Sequence, residues 1–376
     1  MSVVSKLVEF MKSVDRKVWP AHRLVFSPDI ADLLRQHRLV VADVGSTGGP
    51  EETWLCLKEF IHFLTFEPNP RPGDEVSDDQ TTNFPIGLWS TRGKRDLYVT
   101  AHPDSSSLLP INGPLFADFL SKDGLEVVGS ATIELETLDH LLVGKPKLLP
   151  DFLKIDVEGG ELEVLKGARQ TLAQSILGLR VETSFLELQL GRPLLWEVDA
   201  FLRQQGFVLF HLGRNHWIRN NALHGYSSAP QLIWGDAVYF LTREEFLKRL
   251  AACPAGERPV LLAKFVVILV RHGVHDYSCD IVEAAQQGGL VPGAFAESLK
   301  ALVKNSMDTS AWYLIKGCFG VAFALLILLL SLPFAEPRKR GVFYLKQKAG
   351  RLSYDLWRLA ALEGRAHNAC VGDPFV

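Results

Sequence analysis

The sequence predicts an α/β protein built on a doubly wound sheet. Between residues 31 and 245, apolar runs of strand length alternate with amphipathic patterns of helix length. The first apolar run, "LVVADVG", leads directly into a glycine-rich turn. Strands that alternate with helices form mostly parallel sheets covered by helices on both faces. We therefore expect one such sheet, followed by a helical region and a membrane-type apolar helix.

The elements follow one another along the chain in the order of these runs. Pro50 suits the first turn of the first helix, where its missing N–H costs nothing. Two further runs are expected to form extra strands around the loop 103–113. The predicted strands are 39–45, 61–67, 83–90, 95–102, 124–138, 151–157, 177–184, 206–212 and 236–243, and the predicted helices are 50–60, 160–174 and 194–205.

Length and composition limit the function classes. A chain of 376 residues is long enough for two or three structural units. Its net charge of −3 gives no reason to expect nucleic-acid binding. The five cysteines are scattered and form no CxxC pair, so neither a disulfide framework nor a structural zinc site is expected. The cysteine pattern favours a reducing cell interior.

Five segments are expected along the chain. Segment 1–30 is expected to be helical. Charges interrupt each of its apolar runs, so we expect no apolar region of the signal-peptide type there. The α/β domain covers 31–245, and a helical region covers 246–310. Within it, "PVLLAKFVVILVRHG" (259–273) is interrupted by Lys264 and predicts a buried core helix. An apolar helix, 311–335, and a basic amphipathic tail, 336–376, complete the chain.

The apolar helix contains 19 consecutive uncharged residues, 317–335. Such a helix is about 28 Å long, close to the ~30 Å hydrocarbon core of a bilayer. Positive charges follow it at residues 338–340, which favours a cytoplasmic tail. If the α/β domain is also cytoplasmic, one straight crossing is excluded. The helix must then be re-entrant or shallow, span in the reverse direction, or be buried in protein. The tail 342–359 mixes basic with aromatic groups, as helices on anionic leaflets do.

The turn after the first strand is a candidate nucleotide site. Gly45, Gly48 and Gly49 allow a tight turn and close approach of a ligand. Glu67 ends the next strand 22 residues after Gly45, where a carboxylate can bind both hydroxyls of a ribose. The turn is not GxGxxG, which disfavours a nicotinamide enzyme. A simple βα turn with a surface glutamate remains the alternative.

The stretch "DFLKIDVEGGELEVLKGA", 151–168, places three charges on a strand that otherwise looks buried. Lys154, Asp156 and Glu158 occupy alternate positions and share a direction. Unpaired charges inside a covered sheet are costly, so these residues are expected at the carboxyl end of the strand, where open sheets bind ligands. A structural ion pair between Lys154 and one of the carboxylates is the alternative.

Together these motifs resemble the FkbM family of S-adenosylmethionine-dependent methyltransferases. The resemblance covers about residues 39–212 and rests on "VADVGSTGGP", "FEPNP", "HPDSSSLL", "ELETLDHLL" and the 151–168 stretch. It implies a class I methyltransferase fold, which is Rossmann-like, with S-adenosylmethionine as cofactor. It also implies O-methylation, usually of sugar or polyketide hydroxyls.

The resemblance assigns roles to individual residues. The cofactor-binding set is Asp43, Gly45, Ser46, Thr47, Gly49, Glu67 and Asp156, and the substrate-binding set is Ser105, Ser106, Ser107 and Glu158. A plain ST-turn is the alternative for the three serines. Ser46 and Thr47 stand where the family usually has Ala-Asn. Asp156 or Glu158 is the expected proton acceptor and Lys154 orients one of them, while His102 is a second candidate for the base. No group of residues has metal-ligand spacing, so no metal is expected.

The leading functional hypothesis is a membrane-associated O-methyltransferase that acts on a hydroxyl of a glycan or glycolipid, with its catalytic domain on the cytoplasmic side. Two alternatives stay open: a small-molecule or lipid O-methyltransferase, and a binding module that has lost catalysis. The sequence leaves the oligomeric state open.

Overall fold

The computed structural model describes residues 24–47, 49–69, 79–119, 125–220 and 230–306. Residues 26–303 form one compact unit, and residues 1–25 and 304–376 form another, of which residues 24, 25 and 304–306 are described. The predicted apolar segment 317–335 and the basic tail lie outside the described residues. Among the described residues, no helix is both long and apolar enough to cross a membrane.

The strands form two sheets. In chain order they are β1 (Leu39–Val44), β2 (Ile61–Phe66), β3 (Thr81–Phe84), β4 (Gly87–Leu88), β5 (Gly93–Thr100), β6 (Val127–Glu136), β7 (Phe152–Ile155), β8 (Gly178–Ser184), β9 (Phe207–Leu212), β10 (Asn215–Trp217) and β11 (Gln231–Leu241). The main sheet has the order β10-β11-β8-β7-β1-β2-β3, and β9 pairs with β11. The second sheet has the order β4-β6-β5.

The main sheet is mixed. Strands β1, β2, β3, β7 and β8 are parallel, whereas β11 runs antiparallel to β8 and to β9. All six residues of β1 are buried, because the strand has neighbours on both sides and cover on both faces. Continuous apolar strands of this kind are typical of parallel sheets. The expected parallel arrangement therefore holds for five strands, and the sheet also has an antiparallel edge formed by β9, β10 and β11.

Ten α-helices are described: α1 (Pro28–Gln36), α2 (Gly113–Ala117), α3 (Leu138–Leu141), α4 (Glu161–Lys166), α5 (Arg169–Gln174), α6 (Leu195–Gln204), α7 (Arg243–Ala252), α8 (Arg258–Arg271), α9 (His275–Gln287) and α10 (Gly293–Ser306). A 3-10 helix, Glu52–Phe60, follows the glycine turn where the sequence predicts a helix. Helix α1 crosses the predicted segment boundary at residue 30.

The second sheet is built from the predicted extra strands. β5 and β6 pair antiparallel from Gly93–Leu135 to Thr100–Val127 and bury a small cluster around Trp89 and Ile133. One strand prediction, 83–90, is wrong, because the segment divides into β3 and β4. Pro85 lies at the break, where a residue without an N–H cannot continue a hydrogen-bonded ladder.

Helix α8 is the predicted buried helix within 259–273, and this prediction is confirmed. Its residues from Leu262 onward are largely buried. Nζ of Lys264 lies 2.8 Å from a carboxylate oxygen of Asp151, which directly precedes β7. After the helix, the His272 ring packs 4.9 Å from the ring of Phe152. The C-terminal helices therefore cover one face of the main sheet.

Candidate active site

The predicted site residues meet at the carboxyl end of the parallel strands. β1 lies between β2 and β7, so the strand order changes direction next to it. In the ladder between β1 and β7, Asp43 is opposite Lys154. Open α/β sheets bind ligands at such a switch point, outside the carboxyl ends of the strands.

The turn after β1 requires glycine at its first position. Gly45 has φ +80°, and its N–H donates to the Phe66 carbonyl at 3.0 Å. A Cβ on Gly45 would lie 1.8 Å from the carbonyl oxygen of Asp156, so no side chain fits. Beside it, the hydroxyl of Ser46 is buried and makes no hydrogen bond within the described part of the chain. The turn thus brings bare backbone and one unsatisfied hydroxyl to the sheet edge.

Glu67 lies directly after β2, and two neighbours orient its carboxylate. The Thr47 hydroxyl donates to Oε2 at 3.0 Å, and the Asn69 N–H donates to Oε1 at 2.9 Å. A carboxylate has about four acceptor positions, so roughly half of them stay open to a ligand. Thr47, which departs from the family pattern, therefore contacts the acid that can bind a ribose.

Lys154 joins three groups at this edge. Its Nζ lies 3.1 Å from Asp43 and 3.5 Å from Asp156, and donates to the Gly45 carbonyl at 3.2 Å. Burial alone would lower the pKa of Lys154, but the two carboxylates outweigh burial and raise it. Lys154 is therefore a permanent cation. The ion pair between Lys154 and Asp156 is present, and the orienting role of Lys154 stays a prediction.

Glu158 sits in a strained turn that several contacts hold in place. Its φ is +54°, in the left-handed region that side-chain-bearing residues seldom adopt. The Ser107 hydroxyl donates to its carbonyl at 2.6 Å, and the Gln189 amide donates to its carboxylate at 3.1 Å. Glu161 accepts the next backbone N–H, from Gly159, at 2.9 Å. Strain of this kind persists where surrounding contacts fix it, which is common at functional sites.

A buried arginine organises the acids around Glu158. The side chain of Arg192 is fully buried, with Nη2 2.6 Å from Glu182 and 3.5 Å from Glu161. Its Nη1 donates to the Gln189 side-chain oxygen at 3.0 Å, and the same amide donates to Glu158. The fork of the guanidinium thus fixes three partners at once, a geometry that a lysine cannot supply.

Burial raises the pKa of Glu158 to about 7. The Arg192 cation opposes this shift, and the nearby carboxylates of Asp156 and Glu161 reinforce it. Burial also raises the pKa of Glu182, with repulsion from Glu158 and Asp156 in the same direction. A carboxyl group that titrates near neutral pH is suited to accept and release a proton.

The carboxylates of Asp156, Glu158 and Glu182 approach one another closely enough to hold a metal ion, with one oxygen of each within 4.8 Å of the others. Spacing along the chain does not reveal this group, because Glu182 comes from the neighbouring strand. The prediction that no metal binds rests on spacing along the chain, and it stays a prediction. Arg192 already compensates Glu182, so the group does not depend on a metal for charge balance.

Three residues of the site escape sequence reasoning. Glu182 had a usable signal, since it is a charged residue near the carboxyl end of a predicted strand, as Lys154 is. Gln189 and Arg192 lie in the loop after β8, where no periodicity marks them.

The serine loop contributes unequally. Ser107 reaches Glu158 through its hydroxyl. Ser106 accepts from the Thr100 N–H, and the Ser105 N–H donates to the His102 carbonyl, so both act within the loop. The His102 side chain is 61% exposed, and its Nδ1 lies 3.9 Å from Asp104. Ser107 therefore contacts Glu158, whereas the side chain of His102 is exposed, and the roles predicted for the serines and for His102 stay predictions.

Comparison with known proteins identifies related methyltransferases. The family model described as a methyltransferase FkbM domain matches residues 43–209. A protein named Methyltransferase sdnD, from Sordaria araneosa, is 31% identical in an alignment 205 residues long that covers 48% of this chain and 76% of that protein. The chain belongs to the FkbM methyltransferase family. The family match includes every predicted site residue as well as Glu182, Gln189 and Arg192.

Two other relatives of this FkbM protein are curated methyltransferases. Hexuronic acid methyltransferase AglP of Haloferax volcanii is 30% identical over 175 residues, 44% of this chain and 66% of that protein. The 2-O-methyltransferase NoeI of Sinorhizobium fredii is 22% identical over 184 residues, 46% of this chain and 74% of that protein. A crystal structure of Methyltransferase FkbM from Methylobacillus flagellatus aligns with a TM-score of 0.30 and 15% identity, over 54% of this chain and 44% of that one.

Proposed function

We propose that this FkbM protein is an S-adenosylmethionine-dependent O-methyltransferase that acts on a sugar hydroxyl. The observation that carries the proposal is Glu158, whose carboxyl group has a pKa of about 7 at the same sheet edge as the glycine turn and Glu67. When bound, the cofactor would supply a methyl group activated on a positively charged sulfur.

The cofactor fits the groups at this edge. Glu67 has open acceptor positions for the two ribose hydroxyls, and the Cβ position of Gly49, later in the same turn, has no atom within 4 Å. The buried Ser46 hydroxyl can hydrogen-bond the cofactor and so gain the partner it lacks. Asp156, held by Lys154, offers a carboxylate to the cofactor's ammonium group.

In this proposal, Glu158 accepts the proton of the acceptor hydroxyl, whose oxygen would take the methyl group that the bound cofactor would supply. Gln189 and Ser107 hold Glu158 in position for this step. Alignment and a positioned base are the main requirements of such a transfer. The names of two relatives, a hexuronic acid methyltransferase and a 2-O-methyltransferase, support a sugar hydroxyl as acceptor.

Calorimetry with S-adenosylmethionine tests the cofactor assignment. We expect the full chain to bind it and Glu67→Gln to bind it at least ~10-fold more weakly, since hydrogen bonds to a charged acceptor are worth about 1.5–3 kcal/mol. The matched control is Glu59→Gln, an exposed glutamate on the 3-10 helix, which should bind as the wild type does. Absence of binding at millimolar cofactor would indicate a binding module instead of an enzyme.

We further propose that 317–335 and the basic tail attach the protein to a membrane, with the catalytic unit on the cytoplasmic side. The support is the uncharged length of 317–335 and the basic, aromatic composition of the tail. Carbonate extraction of the full chain and of a chain ending at Ser310 tests this. The full chain should stay with the membrane and the shorter chain should not. If both are released, the attachment proposal fails.

A further inference from the structure

A cavity of about 270 Å³ lies on the face of the main sheet below the candidate site. Strands β8, β9 and β11 supply one side, and the end of α8 and the start of the 3-10 helix supply the other. The side chains that matter here are Glu51, Arg180, His211, Asp236, Val238 and Arg271. Its volume is slightly below the ~300–1,000 Å³ of typical ligand pockets, so it suits one ring-sized group.

The cavity adjoins the proposed methyl-transfer site at two places. The N–H of Glu51 donates to Asp43 at 2.9 Å, and Asp43 contacts Lys154. On the other side, Asp236 lies opposite Glu182 in the ladder between β11 and β8, and Glu182 belongs to the acid group with Glu158. A ligand in the cavity therefore lies against Asp236, whose ladder partner Glu182 belongs to the same acid group as the proposed base.

The cavity is lined by both hydrogen-bond donors and acceptors. Nη1 of Arg180 lies 2.6 Å from Glu51, and its Nε lies 3.6 Å from Asp236. Nε of Arg271 donates to the Thr53 carbonyl at 2.7 Å. Each guanidinium has five N–H donors and each carboxylate about four acceptor positions, so these contacts leave capacity on both. A hydroxyl both donates and accepts, which matches such a lining.

We propose that this cavity binds the acceptor of the methyl transfer and that the bound group is one neutral sugar ring. The inference rests on the proposed function and identifies where its acceptor lies. An acidic group fits less well, because the Arg180 cation is already paired with Glu51 and Asp236 and these two carboxylates would repel it. The apolar face of a sugar ring can lie against Val238, and its hydroxyls can reach the arginines and carboxylates.

Saturation-transfer NMR on the full chain tests the proposal with the methyl glycosides of glucose, galactose and mannose, and with methyl glucuronide as the acidic probe. At least one neutral glycoside should bind, and Asp236→Asn should weaken binding at least ~10-fold, as expected when a buried hydroxyl loses a charged partner. Asp96→Asn, the same change on the exposed side of β5, is the matched control and should bind normally.

A second variant keeps the test valid if Asp236→Asn does not fold. Gly213 also lines the cavity, and a Cβ there would meet its nearest atom at an ordinary 3.7 Å. Gly213→Val should therefore fold, fill part of the cavity and abolish glycoside binding. The proposal is overturned if no neutral glycoside binds, if only the glucuronide binds, or if both cavity variants bind as the wild type does.

The same preparations separate this proposal from the proposed function. Calorimetry measures cofactor binding without an acceptor, and neither cavity variant should change it. If the chain binds the cofactor but the cavity variants bind glycosides as the wild type does, the methyltransferase proposal stands and the cavity proposal fails. If glycoside binding depends on Asp236 but the chain does not bind the cofactor, the cavity proposal stands and the methyltransferase proposal fails.

Discussion

At the scale of single residues, Glu158 combines a strained backbone with a carboxyl group that titrates near neutral pH. Burial, the carboxylates of Asp156, Glu161 and Glu182, and the opposing cation of Arg192 surround it. Below its pKa of about 7 it is protonated and cannot accept a proton from an acceptor hydroxyl. Its environment therefore determines the pH range in which it can act as a base.

The pH dependence of methyl transfer follows from this pKa. We expect kcat/KM to rise with pH through a limb near 7 and to level off above it. Glu158→Gln should remove this limb and lower the rate by ~100-fold or more, the usual contribution of a positioned base. Initial rates with labelled cofactor between pH 5.5 and 9 measure both. An unchanged limb in the variant would assign the proton to another group.

The same carboxyl group gives a stability prediction of definite sign. Its folded pKa, about 7, is above the ordinary 4.5, so its contribution to stability is full below 4.5 and is lost as pH rises through 7. Glu158→Gln carries no charge, so its free energy of unfolding should exceed that of the wild type by up to about 3 kcal/mol at pH 8.5 and match it near pH 4.

Urea denaturation at the two pH values measures this difference. The control is Glu134→Gln on β6, an exposed glutamate paired with Lys94, which should change stability little at either pH. A Glu158→Gln protein that is less stable than the wild type at pH 8.5 would contradict the prediction, since the charge would then be favourable in the fold.

At the scale of elements, the turn after β1 depends on two glycines for different reasons. Both have positive φ, +80° at Gly45 and +99° at Gly49, but only Gly45 has a crowded Cβ position. Gly45→Ala must displace the backbone of Asp156, whereas Gly49→Ala has nothing within 4 Å to meet. The two changes separate steric conflict from backbone strain at equal chemistry.

We expect Gly49→Ala to cost about 1–2 kcal/mol of stability, the strain of one left-handed residue, and Gly45→Ala to cost clearly more. Gly45→Ala should also weaken cofactor binding by more than Gly49→Ala does, because the alanine side chain pushes the turn and Asp156 apart. Thermal unfolding and calorimetry on both variants measure this. Equal effects of the two substitutions would mean that the close contact with Asp156 does not matter.

The elements of the site could be predicted where local pattern is enough. The alternation in "LKIDVEGG" places Lys154, Asp156 and Glu158 at one strand end because strand geometry has a period of two. The glycine turn is likewise a local signal. Arg192 shows the opposite case, since "LGRPL" looks like a surface loop and yet its arginine is fully buried. Its burial depends on acids from β8 and α4, which only the tertiary fold brings together.

At the scale of the whole molecule, the C-terminal helices complete the core of the methyltransferase unit. Arg249 donates to the Ile176 carbonyl, the Tyr277 hydroxyl donates to the Leu241 carbonyl, and Arg271 reaches the 3-10 helix. The sequence predicts the helices themselves from their length and composition. It does not predict the face they cover, because that depends on contacts between residues 36 to 218 positions apart.

Lys264 makes this long-range contact testable. Its Nζ lies 2.8 Å from Asp151, whose carboxylate also accepts the Val40 N–H at 2.8 Å. Burial raises the pKa of Asp151, and the lysine opposes this shift. Removing one partner of a buried ion pair leaves an uncompensated charge and costs about 3–5 kcal/mol. Lys264→Met should therefore destabilise the protein by about that amount at pH 7.

The size of the effect should depend on pH and on the partner. Lowering the pH protonates Asp151 more readily in Lys264→Met than in the wild type, so the difference in unfolding free energy should shrink toward pH 4. Adding Asp151→Asn should restore part of the stability at pH 7, because the unpaired charge is removed while an acceptor for Val40 remains. The control, Lys248→Met, removes a surface partner of Glu245 and should change stability by less than about 1 kcal/mol. If Lys264→Met matches this control in urea denaturation at pH 7, the contact between α8 and the start of β7 does not hold the C-terminal helices on the sheet.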